Sequence, residues 1–319
     1  MRRAFLALAA GTTALACVLW GTPPAGAVTI YTATGATTAQ APLLGAIRDG
    51  WGRVDAGPIE IRAWKDLDDL RGTILAGKGD LWVGHLDGLA QAARQGAPIT
   101  LIALTAWADK FRFLTVDPDV HDPAGLVSLA AKRGEPLVVV PRGSPAVALI
   151  QAASGGAGPR LSDRAPQQAA LDIGRGTVRH VLAPEPLATA LAGKFPGLRD
   201  IGGLSALAPP ATEQAGGPAE APMAGVAVRT ALLTERPELI HALVTAMIRW
   251  ADAHRNDPDG VVAVLPAETL AALGPDTVRQ SLSREPLRVV DAAAARPLIE
   301  ATLRLLDGPH PLADGFLPP

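Results

Sequence analysis

Short apolar runs alternate along the chain with stretches of helical period. Val28-Thr29-Ile30-Tyr31-Thr32 is β-branched and aromatic and predicts a strand, followed by a Gly/Thr turn and a helix over about 38–48. Residues 59–64 alternate as a second strand. Residues 66–76 then set Leu67, Leu70, Ile74 and Leu75 on one helical face. A third strand at 80–84, a helix at 87–95 stopped by Gly96 and a fourth strand at 99–104 continue the series. Strands alternating with helices of this length predict βαβ units and a parallel sheet.

A second series follows. Residues 111–116 form a strand that ends at Asp117-Pro118, and Leu137-Val138-Val139-Val140 reads as a buried strand. Arg142-Gly143-Ser144-Pro145 turns into a helix ending near Ala153; a helix at 165–173 and a strand at 178–183 come next. Pro184-Glu185-Pro186 opens a further helix to Gly193. Residues 205–222 (SALAPPATEQAGGPAEAP) are low-complexity and predict a flexible exposed loop. Residues 225–232 predict a strand. Residues 237–255 predict a long helix with Leu239, Leu243, Met247 and Trp250 on its apolar face, and two or three short helices end the chain.

The first 27 residues read as an address. Arg2 and Arg3 precede an apolar run from Ala4 to Trp20, and Ala25-Gly26-Ala27 supplies an A-x-A ending, so cleavage is expected after Ala27 and export to the periplasm. Arg2-Arg3 also fits a twin-arginine leader, and Ala14-Leu15-Ala16-Cys17 a displaced lipoprotein box. No later segment reaches the length of a spanning helix.

Composition narrows the function. The 319 residues are 48% hydrophobic and 19% charged, suited to about two globular domains. The net charge of -2 offers no basic surplus for nucleic acid. Removing residues 1–27 takes two cations, no acid and the only cysteine, leaving 27 cations to 31 anions and no thiol. Phosphate-binding loops, H-E-x-x-H and a G-x-S-x-G elbow are absent, and the six histidines lack metal spacing. Such a chain is expected to hold a molecule rather than transform it, without a cofactor.

Asp80-Leu81-Trp82-Val83-Gly84, a helix, then Gln95-Gly96-Ala97-Pro98-Ile99 resembles a segment of periplasmic substrate-binding proteins of ABC importers, in the nitrate/sulfonate/thiamine-precursor group. Trp64-Lys65-Asp66-Leu67, Trp107 before Phe111-Arg112-Phe113, Pro141-Arg142-Gly143-Ser144, Glu185-Pro186-Leu187-Ala188 and Arg236-Pro237-Glu238-Leu239 extend the resemblance in order over about 28–265. It implies a type II periplasmic-binding-protein fold: two α/β lobes, each a mainly parallel sheet flanked by helices, with the ligand cleft between them. Lobe one would be 28–107 plus 222–319 and lobe two 108–221. The implied function is delivery of a small organic solute or oxyanion to a transmembrane permease by hinge closure, as a monomer. A ligand-sensing protein feeding a membrane receptor would share the fold. A thiamine-pyrimidine-synthase-like enzyme would need a cysteine-rich motif that this chain lacks.

Ligands of parallel α/β sheets bind outside the carboxyl ends of the strands, which selects the candidate contacts. Thr37 and Thr38 follow the first strand, Trp64 the second, His85 the third and Trp107 the fourth. Arg142, Gly143 and Ser144 open a helix in lobe two, where exposed N–H groups and a guanidinium suit an anion. Glu185 at the next helix start would take a donor-bearing group or be held by the helix dipole alone.

Overall fold

The computed structural model describes residues 27–34, 37–53, 56–154, 158–207, 221–285 and 287–318. The expected leader and its cleavage site therefore lie outside or at the border of the described residues, as do positions 208–220 of the loop expected at 205–222. Residues 204–207 of that region form a short 3-10 turn, and Pro222 already belongs to a strand.

Two sheets form in succession. β1 (Val28–Ala33), α1 (Ala41–Arg48), β2 (Ile59–Trp64), α2 (Leu67–Leu75), β3 (Leu81–His85), α3 (Leu86–Arg94) and β4 (Ile99–Trp107) begin the first. A 3-10 turn at Ala108–Lys110 leads into the second, built from β5 (Phe111–Thr115), α4 (Pro123–Arg133), β6 (Leu137–Val139), α5 (Ala146–Ala153), β7 (Leu161–Asp163), α6 (Pro166–Gly174), β8 (His180–Pro184), α7 (Leu187–Lys194) and β9 (Arg199–Gly203). The chain returns as β10 (Pro222–Arg229). It closes with α8 (Thr230–Glu235), α9 (Pro237–Ala253), α10 (Pro258–Val262), α11 (Ala267–Leu273), α12 (Pro275–Ser281), β11 (Val290–Asp291) and α13 (Arg296–Asp307).

The first sheet has the order β11-β4-β10-β3-β1-β2 and the second β7-β6-β8-β5-β9. β10 runs antiparallel between β3 and β4, and β5 antiparallel between β8 and β9; β1–β4 all point one way, as do β6–β9. Each sheet is thus mainly parallel with one inserted reversed strand, and the two-residue β11 adds a reversed edge to the first.

The inner strands of both sheets are buried on both faces, which explains their near-continuous apolar runs. Ile30 and Val83 pack on the α1/α9 side, while their neighbours Tyr31 and Trp82 pack on the α2/α3/α13 side. In the second sheet Leu137 and Val139 face α4 and α5, and Val138 and Val181 face α6 and α7. Helix α13 belongs to both lobes: Leu298 and Leu303 join the core of the first, and Leu305 and Leu306 pack against that of the second. The tail then lays Phe316, fully buried, against β4, with Leu101 N–H donating to its carbonyl at 2.8 Å.

Local chemistry sets several boundaries. Asp66 caps α2 by accepting from Asp69 N–H, and Asp122 caps α4 by accepting from Gly125 N–H. Helix α4 then begins with Pro123 and ends at Gly134, whose φ of +64° is the left-handed stop of a helix. The sequence reading does not include α4, β7, β9 or β11, places β10 three residues late so that its last residues fall in helix α8, and expects two or three tail helices where there are four.

Gly225 sits in the middle of β10, where a Cβ would lie 2.4 Å from the Ala103 carbonyl oxygen of β4. The obstacle is backbone in a paired ladder, so Gly225→Ala is expected to destabilise by about 1–3 kcal/mol, the cost of an overpacked core. Urea unfolding checks this; an unchanged midpoint would show that the ladder yields at no cost.

Candidate functional site

The turn after β1 is built from small and polar residues. Ala39 packs on Ala106 of β4 and Ala224 of β10, so the turn lies directly on the sheet. Ala224 pairs with both Ala106 and His85, which brings the end of β3 to the same place. Four polar groups there are buried without a protein hydrogen-bond partner: Thr38 Oγ1, the Gln40 side-chain amide, His85 Nδ1 and Thr105 Oγ1. Buried polar groups are paired in the great majority of cases. These four exceptions lie at or beside the carboxyl ends of strands, where ligands of parallel α/β sheets bind.

Lys110, at the end of the crossover turn, brings charge to this site. Its Nζ donates to Thr37 Oγ1 at 3.2 Å and pairs with Glu285 Oε1 at 3.0 Å, although Lys110 is only 5% exposed and Glu285 8%. Thr37 Oγ1 also accepts from Ala39 N–H at 3.2 Å. With both lone pairs used, the Thr37 hydroxyl has its hydrogen left to donate, and the ammonium has a third N–H. Burial, then the Lys110 charge, pushes the His85 imidazole down to about 4, so at neutral pH it is an uncharged donor-acceptor. The combined inventory is rich in donors, with a positive charge already paired.

The remaining sequence candidates have other surroundings. Trp64 folds its indole over the end of β1 and donates Nε1–H to Val83 O at 2.9 Å. The Trp107 indole donates to Arg288 O at 3.1 Å, and the Arg288 guanidinium lies 3.6 Å from its ring centre. Both border a cavity of about 340 Å³ at the start of α13. Arg142 and Gly143 are exposed, and a Cβ on Gly143 (φ +73°) would come 3.3 Å from Leu67 Cδ1 of α2, so the two lobes nearly touch there. Ser144 is buried and accepts from Ala146 N–H at 3.3 Å, with α5 starting after Pro145. Glu185 is fully buried: Oε2 accepts from Thr189 N–H (3.0 Å) and Oγ1–H (2.8 Å), and Oε1 lies 3.4 Å from Arg284 Nη1. Burial pushes its carboxyl pKa up, offset in part by Thr189 and Arg284. Its oxygens are committed within the protein.

The structure thus brings Thr37, Thr38 and His85 together, and adds Gln40, Lys110 and Glu285, which sequence reasoning missed. Lys110 had one usable signal, a lysine just past the lobe boundary expected at 107/108. Glu285 had none, because it arrives from the tail through tertiary packing. Among the described residues no group of three or more His, Cys, Asp or Glu could hold a metal, and no helix is long and apolar enough to cross a membrane.

No protein-family model and no curated protein matches the sequence. Solved structures do. An ABC transporter structure from Parabacteroides distasonis is similar with a TM-score of 0.71 at 15% identity, over 92% of this chain and 99% of that one. The alkanesulfonate-binding protein SsuA from Xanthomonas axonopodis pv. citri, bound to MOPS, gives 0.65 at 16% identity over 93% and 99%. The periplasmic nitrate-binding protein NrtA from Synechocystis PCC 6803 gives 0.59 at 13% identity over 80% and 70%. These likenesses establish the two-lobed, type II periplasmic-binding-protein fold that the sequence motifs imply.

Two predictions follow from the buried charges. Lys110→Met leaves the Glu285 carboxylate unpaired and is expected to cost about 3–5 kcal/mol, whereas Lys110→Met/Glu285→Leu recovers most of that loss. Urea unfolding of the three proteins checks it, and equal stabilities of the single and double variants would refute it. For His85 the unfolded chain binds protons more readily than the native state between pH 6.5 and about 4. Its contribution to stability is therefore full above pH 6.5 and declines as pH falls to about 4. In His85→Asn that part of the decline is expected to vanish, read as the difference between the two proteins' melting points across pH 4–7.

Proposed function

We propose that this chain is an extracytoplasmic solute-binding protein that delivers a small organic solute carrying an oxyanion to an ABC-transporter permease. The observation that supports the reading most directly is the group of unpartnered polar atoms of Thr38, Gln40, His85 and Thr105 beside the Lys110–Thr37 contact, at strand ends in a two-lobed fold. The neighbours named for sulfonate and nitrate bind oxyanions with this same architecture. Residues 28–107 plus 222–319 would form one lobe and 108–221 the other, rotating about the segments near 108 and 221. Residues 1–27 would direct export and be removed, and the mature protein would act as a monomer. Its mechanism is binding and closure, with no bond made or broken.

The test is a thermal-shift screen of the exported protein against sulfonates, nitrate, carboxylates, pyrimidines and amino acids, followed by calorimetry. A ligand at 100 times its Kd adds about 2.7 kcal/mol of stability, a rise of several degrees for a protein of this size. Thr37→Val is expected to weaken that ligand about tenfold, or about 1.4 kcal/mol. A confirmed ligand whose affinity ignores Thr37→Val and His85→Asn would move the site elsewhere. Turnover of the bound compound would replace the binding role with catalysis.

A further inference from the structure

Glu285 is held from two directions. Its backbone N–H donates to Ser281 O at the end of α12 (3.1 Å), and its neighbour Arg284 reaches into the second lobe. There Arg284 Nη1 lies 3.4 Å from Glu185 Oε1, 3.3 Å from Thr189 Oγ1 and 3.3 Å from Asp200 Oδ2. The side chain of Glu285 turns instead to the crossover, where Oε1 meets Lys110. Its other oxygen, Oε2, is buried with no hydrogen-bond partner in the protein. The carboxylate also lies close enough to Glu185 to act on it as a like charge.

A carboxylate oxygen taken out of water without a donor costs free energy, and Lys110 satisfies only one of the two oxygens. The same pairing changes what the site offers a solute. Lys110 is already neutralised, so a bare oxyanion meets a positive and a negative charge side by side. A solute whose acidic end takes the Thr37 and Lys110 hydrogens while an N–H group donates to Glu285 Oε2 satisfies both.

We propose that Glu285 is the specificity-determining residue of this site, accepting a hydrogen bond from an ammonium or other N–H donor that the solute carries beside its acidic group. This rests on the solute-binding reading above and narrows it to donor-bearing acids.

Matched pairs that differ only in the amine test it by calorimetry on the exported protein: ethanesulfonate against 2-aminoethanesulfonate, and propionate against 3-aminopropionate. The expected result is at least tenfold tighter binding of the amine-bearing member of one pair, shrinking to less than threefold in Glu285→Gln. Gln can still accept from Lys110, and circular dichroism checks that the variant is folded. If it is not, Glu285→Asp, which keeps the charge but draws the carboxylate back by one methylene, is expected to reduce the same preference. Equal affinity of both members in the wild type overturns the proposal and leaves solute binding standing. A preference that survives in folded Glu285→Gln also overturns it. Failure of all four compounds overturns it too, and the broader screen then decides whether the solute-binding reading falls with it.

Discussion

The return of the chain as β10 is the constraint on which the rest of the molecule depends. After β4 the backbone leaves the first sheet, builds the second, and re-enters antiparallel between β3 and β4. The first lobe is therefore discontinuous in sequence, and two segments join it to the second. Close approach in this ladder needs residues without bulk. Gly225 gives way to the Ala103 carbonyl, and Ala224 makes room for Ala39. The flat floor that results is where the polar turn after β1 can sit with its side chains buried.

Charge enters that floor at the point where the chain departs from it. Lys110 closes the crossover turn and is tied to Thr37 of the first lobe, while its backbone carbonyl accepts from Glu185 N–H of the second at 2.6 Å. Glu285 and Arg284 approach from the tail and carry the network into Asp200, which also pairs with Arg112. Two ionic groups, Lys110–Glu285 and Arg284 with Glu185, Asp200 and Arg112, are thus joined through the backbone of residues 284–285. These charges are compensated largely within the protein, while the polar atoms of Thr38, Gln40 and His85 next to them are not.

The fold was legible because period and composition agree with topology. Strands buried on both faces read as apolar runs, and helices capped by Asp66 or started at Pro237 announce their ends. Helix α4 was announced too, by Asp122, Pro123 and Gly134, but its interior is rich in alanine and lacks a strong apolar stripe. Strands β7, β9 and β11 are short, and Gly202 and Gly203 dilute β9, so neighbours rather than propensity make them strands. At the site, Thr37, Thr38 and His85 follow from the rule that ligands bind at strand ends. Trp64 looks available in sequence, yet its indole reaches across to Val83, a contact that only the β2-β1-β3 order creates. Glu185 could be read either way, as a ligand contact or as a carboxylate favoured at a helix start. In the structure its oxygens serve Thr189 and Arg284.

The tail has a consequence for how much of the chain the fold requires. Helix α13 covers α3 and α5 at once, and residues 315–317 seal β4, where Gly315 O accepts from Thr100 Oγ1 at 2.8 Å. A chain ending before Arg296 would leave Leu101 and Leu104 without Ile299, Leu303 and Phe316, which share their apolar cluster. Both lobes would lose a packing partner at once, because the same helix serves α3 and α5.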